Sequence, residues 1–144
     1  MLAATIWILM LLTVISITDI KRLVIPDICI LLMLPAAFFF RSPWRGRLIA
    51  ALAVWTAFFL IAAVSALLKS EMPMGMGDIK LFSAIALISG PAGLAASGIL
   101  SSLTGGIYAA ILLALKKVQK KDQIAFGPFI AVSYALYLAS ISAM

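Results

Sequence analysis

Apolar residues run through this chain in long blocks, separated by short stretches that carry charge, glycine or proline. Blocks of that length and character mark membrane-spanning helices. The separations predict helices at about 2–18, 27–40, 48–68, 79–90, 92–115 and 124–143. The fourth and fifth are divided at Gly90-Pro91, because proline lacks the amide donor and clashes with the preceding turn. A single helix over 79–115 would be roughly 55 Å long, too long for one crossing of a hydrocarbon core about 30 Å thick. The expected fold is therefore an all-α, polytopic membrane helix bundle of about six transmembrane helices, with 1–144 forming a single domain.

Composition strengthens the membrane assignment. Of the 144 residues 65% are hydrophobic and 11% charged, and the mean hydropathy is +1.23. Soluble domains carry about a quarter charged residues, and a chain this short leaves too much surface exposed to hide such an apolar excess from water. The segment from Met1 to Thr18 lacks a positively charged start, and Asp19 stands where a small-residue cleavage site would be expected. It reads as a retained helix rather than a secretory signal.

Charge then gives an orientation. Lys21, Arg22, Lys69, Lys80, Lys116, Lys117, Lys120 and Lys121 fall in or beside the odd-numbered connections, against Arg41, Arg45 and Arg47 in the second. Eight against three predicts the odd-numbered loops in the cytoplasm and both termini outside. The net charge of +6 is accounted for by this distribution and implies no nucleic-acid partner.

The chain has no histidine and one cysteine, Cys29. Ser-His-Asp, Cys-His and H-E-x-x-H chemistry are thereby excluded, as are a disulfide framework and a cysteine zinc site. Proton chemistry would fall to the five carboxylates, Asp19, Asp27, Glu71, Asp78 and Asp122, which all lie in or beside predicted cytoplasmic loops. Asp122 sits in the charge run K-K-V-Q-K-K-D-Q and reads as a surface group. Glu71 reads as a surface group that could also line a substrate path. Asp27 follows Ile25-Pro26 at the start of an apolar helix, where a capping or first-turn acid belongs. Asp19 and Asp78 are harder to assign to structure alone. Asp19 follows an apolar helix at its C-terminal end, where the dipole disfavours an anion. Asp78 closes Met72-Pro73-Met74-Gly75-Met76-Gly77-Asp78, in which Gly75 and Gly77 let another backbone approach.

The stretch D-I-K-R-L-V-I-P-D from Asp19, followed by G-M-G-D-I-K ending at Lys80 and I-A-F-G-P-F-I at 124–130, resembles the type IV prepilin peptidase family, archaeal preflagellin peptidases included. More distantly it is similar to the GxGD intramembrane proteases such as presenilin. The resemblance spans nearly the whole chain and implies an aspartic peptidase with Asp19 and Asp78 as its catalytic pair. Gly75, Gly77, Asp27, Lys80 and Glu71 would support the site or contact substrate, with no metal ion and no cofactor. The paired C-x-x-C motifs that accompany N-methylation in many bacterial members have no counterpart here. The resemblance is therefore to the short, peptidase-only form of Flp/Tad-type and archaeal systems. It implies a prepilin or pseudopilin-like substrate with a basic leader, cut at the cytoplasmic face of the inner membrane. Membrane lipid is the other partner.

Read without that resemblance, the residues leave alternatives open. A carboxylate-based ion or proton transporter uses ionisable membrane residues too. Magnesium held by Asp19, Asp27 and Asp78 and a non-enzymatic membrane scaffold are the others. Met72, Met74 and Met76 offer flexible apolar contact beside Asp78. Ser65, Ser70, Ser83, Ser97, Ser101 and Ser102 are small residues suited to close helix contact in lipid.

Overall fold

The computed structural model describes residues 2–40, 42–68, 75–116 and 124–142. All regular structure among them is helical: α1 (Leu2–Arg22), α2 (Asp27–Met33) continued by a 3-10 segment (Leu34–Phe39), α3 (Trp44–Leu67), α4 (Met76–Ala114) and α5 (Gly127–Ser142). The chain is a polytopic membrane helix bundle.

The expected count of about six membrane-crossing helices is corrected by this architecture. Three helices, α1, α3 and α4, are long and apolar enough to cross a membrane, whereas Asp27–Phe39 and Gly127–Ser142 are shorter. Pro35 accounts for one shortfall. It cannot donate back into the α ladder, so the helix begun at Asp27 tightens to 3-10 geometry from Leu34 and ends at the extended Phe40. The Arg47 guanidinium then donates to the carbonyls of Ala37 and Phe40, satisfying acceptors that the helix end leaves open.

The predicted helices 79–90 and 92–115 are two arms of the single element α4, with no loop between them. Gly90 alone interrupts it, at φ 74° and ψ −163°, and Pro91 opens the second arm, where its missing amide costs nothing. Ile79 and Phe82 of the first arm share one cavity wall with Ser102 and Leu103 of the second. On a straight helix Ile79 and Leu103 would be roughly 36 Å apart, so the chain folds back on itself at Gly90.

The first arm of α4 is the centre of the molecule. Nearly every residue from Ile79 to Gly90 is buried, which is the signature of a helix surrounded on all sides. α4 as a whole is packed by α3, α5, α2 and the 3-10 segment, while α1 packs against α5, α2 and that segment. The inner stripe of α1 is Ala4, Ile8, Leu11, Leu12 and Ile15, at the three-and-four spacing of one helix face. Tyr134 of α5 is fully buried, and its hydroxyl lies 2.6 Å from Ser89 Oγ, so the polar tip is satisfied inside the bundle. Ser65, Ser83, Ser97 and Ser101 are buried as expected of small interface residues, whereas Ser102 is exposed and Ser70 lies outside the described residues.

Candidate functional site

Asp19 continues the buried stripe of α1, four residues after Ile15. The helix runs past the expected end at Thr18 because nothing in Ile20-Lys21-Arg22 stops it. It closes only at Leu23, in left-handed conformation (φ 53°), whose amide reaches the Asp19 carbonyl at 2.8 Å. Asp19 is thus held in the last turn of α1, 6% exposed, where the helix dipole opposes its charge. The compensation comes from another element. Gly127, the first residue of α5, donates its amide to Asp19 Oδ2 at 2.8 Å, a charge-assisted bond at the positive end of that helix. Approach is so close that a Cβ on Gly127 would stand 2.8 Å from the same oxygen.

Asp78 is placed by the start of α4. Gly75 is the residue preceding the helix, so Asp78 falls three positions in, and its carboxylate reaches back to the Gly75 amide. That is the geometry in which a first-turn acid satisfies a free helix donor. The segment between α1 and α2 fixes where this start lies. Ile25 is buried against Gly77, where a Cβ would stand 3.0 Å from Ile25 Cβ. The contact brings the Asp78 carboxylate within range of the Asp19 charge.

Asp27 occupies the first turn of α2, as its position after Pro26 predicts. Both its carboxylate oxygens accept from Lys80 Nζ, each at 2.8 Å. Lys80 is therefore engaged within the chain. The pair joins the start of α2 to the start of α4 and is partly open to solvent, at 65% and 38% side-chain exposure.

These residues surround one cleft of about 470 Å³. Its walls include Asp19, Asp27, Gly75, Gly77, Asp78 and Lys80, with Leu23 to Pro26 and Met76 completing them. The structure thus brings together every residue that the sequence nominated for the site except Glu71, which lies outside the described residues, as do Met72, Met74 and Asp122. Among the described residues, no three histidine, cysteine or carboxylate side chains are grouped closely enough to hold a metal ion. Two residues with positioning roles were not assigned them from sequence. Ile25 gave no signal beyond lying in the first motif. Gly127 stood in a motif already noted, and its place ahead of a proline, with a free amide at a helix start, was the available clue.

Residues 6–110 match the type IV leader peptidase family, a range that includes both aspartates, Asp27 and Lys80 but stops short of α5. The chain is 33% identical over 131 residues to a prepilin leader peptidase/N-methyltransferase of Bacillus subtilis, covering 88% of this chain and 51% of that protein. It is 30% identical over 132 residues to the protein of that name in Aeromonas salmonicida (88% and 44%). For Pseudomonas aeruginosa the figures are 32% over 88 residues (61% and 29%). The chain thus spans about half, or less, of the length of these curated relatives. No solved structure matches it.

Proposed function

The chain belongs to the type IV leader peptidase family, and on that premise we propose that it is a membrane aspartic endopeptidase using Asp19 and Asp78 as its catalytic pair. Its substrate is a type IV prepilin or pseudopilin-like protein, from which it removes a short basic leader. The observation that carries the reading is the shared cleft: carboxylates from the end of α1 and the start of α4 line one cavity, in a chain without histidine.

Two facing carboxyls cannot both ionise cheaply, so the pair holds one proton between them and supplies an acid and a base together. A water between them attacks the scissile carbonyl, giving its proton to the ionised partner. The protonated partner polarises the carbonyl and then delivers a proton to the departing amine. The proton belongs to the pair rather than to either residue. Gly127 holds Asp19 in place, Gly75 orients Asp78, and the Lys80–Asp27 pair fastens the two motif segments together. Lys21 and Arg22 at the end of α1, beside Asp19, and Lys80 in the cleft wall support placing this cleft at the cytoplasmic face.

Co-expression with a prepilin-like substrate, followed by leader removal on a gel, tests the reading. Asp19→Asn and Asp78→Asn each abolish cleavage, Asp122→Asn does not, and a chelator leaves cleavage unchanged. Full processing by either dyad variant would sink the two-aspartate mechanism. Chelator-sensitive cleavage would favour a metal-dependent one.

A further inference from the structure

Asp19 accepts from the Gly127 amide, so its place depends on whatever fixes the head of α5. Phe126, the residue just before Gly127, does so in two ways. Its carbonyl accepts from the amides of Phe129 and Ile130, at 3.0 and 3.3 Å, and so begins the helix. Its ring lies on the backbone of Gly105, in the second arm of α4. A Cβ on Gly105 would stand 2.5 Å from Phe126 Cε2 and 3.0 Å from Cδ2. Gly105 is buried, and Tyr108, three residues further along the same helix face, meets Phe129 at 5.3 Å between ring centres. Phe129 in turn neighbours Phe126 at 6.2 Å. The second arm thus offers a socket, bare backbone at Gly105 beside the ring of Tyr108, and the two phenylalanines flanking Gly127-Pro128 occupy it. Among the described residues, none of this arm lines the aspartate cleft.

We propose that Gly105 and Phe126 are positioning residues for Asp19: the ring in its socket seats the Gly127 amide, and the amide seats the carboxylate. The inference rests on the peptidase reading above. Helix propensity alone would disfavour the glycine, which costs about 1 kcal/mol against alanine in a helix interior. Gly105 and Gly106 both carry that cost, yet their surroundings differ. A Cβ on Gly106 would meet nothing within 4 Å, whereas on Gly105 it would strike the ring. A phenyl ring cannot bend. Gly105→Ala therefore tilts it as a whole, and the Phe126 backbone, one peptide bond from Gly127, moves with it.

The neighbouring glycines give the test its control. With the full chain in detergent micelles and a prepilin-like substrate, Gly105→Ala lowers kcat about tenfold, as a small misplacement at a reacting centre does, and leaves KM unchanged. Gly106→Ala, with the same gain in helix propensity, changes neither. Added to Phe126→Ala, Gly105→Ala costs nothing further, because the ring it would strike is gone. Added to Gly127→Ala it costs little, because both act on one carboxylate. Losses that multiply in either pair, or a rise in KM with kcat unchanged, overturn the proposal. A second measurement does not depend on turnover. The chain has nine glycines, so isotope labelling of glycine nitrogen gives a short list of amide resonances, and that of Gly127 is the one lost in Gly127→Ala. Asp19→Asn, Gly105→Ala and Phe126→Ala each displace it, and Gly106→Ala does not. A Gly127 resonance left in place by Gly105→Ala overturns the socket whatever the activity. Absence of cleavage by the wild type, with the resonance displaced as expected, strikes instead at the peptidase reading.

Discussion

Asp19 combines an unfavourable helix end with near-complete burial, and a single backbone amide answers for both. The Gly127 amide is a donor to a charged acceptor, a class of bond that contributes about 1.5–3 kcal/mol. Its alpha carbon is so close that a methyl group there would meet Asp19 Oδ2 at 2.8 Å. Gly127→Ala therefore displaces the carboxylate. Peptidase activity is expected to fall on the order of 10²-fold, as small misplacements at a reacting centre do, while helix content by circular dichroism is unchanged. Activity within a factor of two of wild type would show that Asp19 does not need this amide. The two glycines of the G-M-G-D segment behave differently from each other. A Cβ on Gly75 would make only an ordinary contact with Asp78 Oδ2 at 3.4 Å, whereas on Gly77 it would press on Ile25 Cβ at 3.0 Å. Gly77→Ala is expected to be the more damaging in the cleavage assay. Ile25→Ala restores part of that loss, because it removes the Ile25 atoms at 3.2 and 3.4 Å but leaves its Cβ. Equal activity of the two alanine variants would contradict this packing.

At the scale of elements, the two motif segments are joined by the Asp27–Lys80 pair, which ties the first turn of α2 to the fifth residue of α4 across the cleft. Such a partly exposed pair contributes about 0.2–1 kcal/mol, so Asp27→Ala and Lys80→Ala each lower thermal stability only slightly. Their effect on cleavage, up to about fivefold for 1 kcal/mol, comes from loosening the start of α4. The exchanged pair Asp27→Lys, Lys80→Asp regains activity if the role is positioning. Failure of the exchange, with each single variant losing far more than fivefold, would mean that one of these side chains meets the substrate. How far such details were legible follows from what sequence encodes. The position of Asp27 at a helix start was readable, because Pro26 and the apolar run after it are local. Its partner was not, since no spacing rule links residues 27 and 80. The end of α1 was misplaced for a related reason: Asp19 looked like the edge of an apolar block, yet only Leu23 actually leaves the helix.

For the whole molecule, the apolar blocks gave the helices but not how each lies in the fold. Counting apolar residues measures the length available to cross a membrane. It does not register that Pro35 turns a helix into 3-10 geometry, or that α4 doubles back without a loop. The break at Gly90-Pro91 was visible from proline chemistry, whereas the reversal depends on a backbone conformation that only the fold reveals. That conformation, φ 74° and ψ −163°, is open essentially to glycine alone. It sets the two arms of α4 side by side, so it underlies the cavity whose wall they share. Gly90→Ala meets two obstacles. The dihedral angles alone cost on the order of 1–3 kcal/mol, and the new Cβ would stand 2.4 Å from Ser42 Oγ and 3.4 Å from Ser42 Cβ. Unfolding in detergent is expected to show a loss of at least that size. Ser42→Ala in the same chain removes the hydroxyl but not the backbone strain, so stability returns only part of the way. Full recovery would mean that the clash alone opposed the substitution. No loss in Gly90→Ala would mean that the turn at this residue takes some other form.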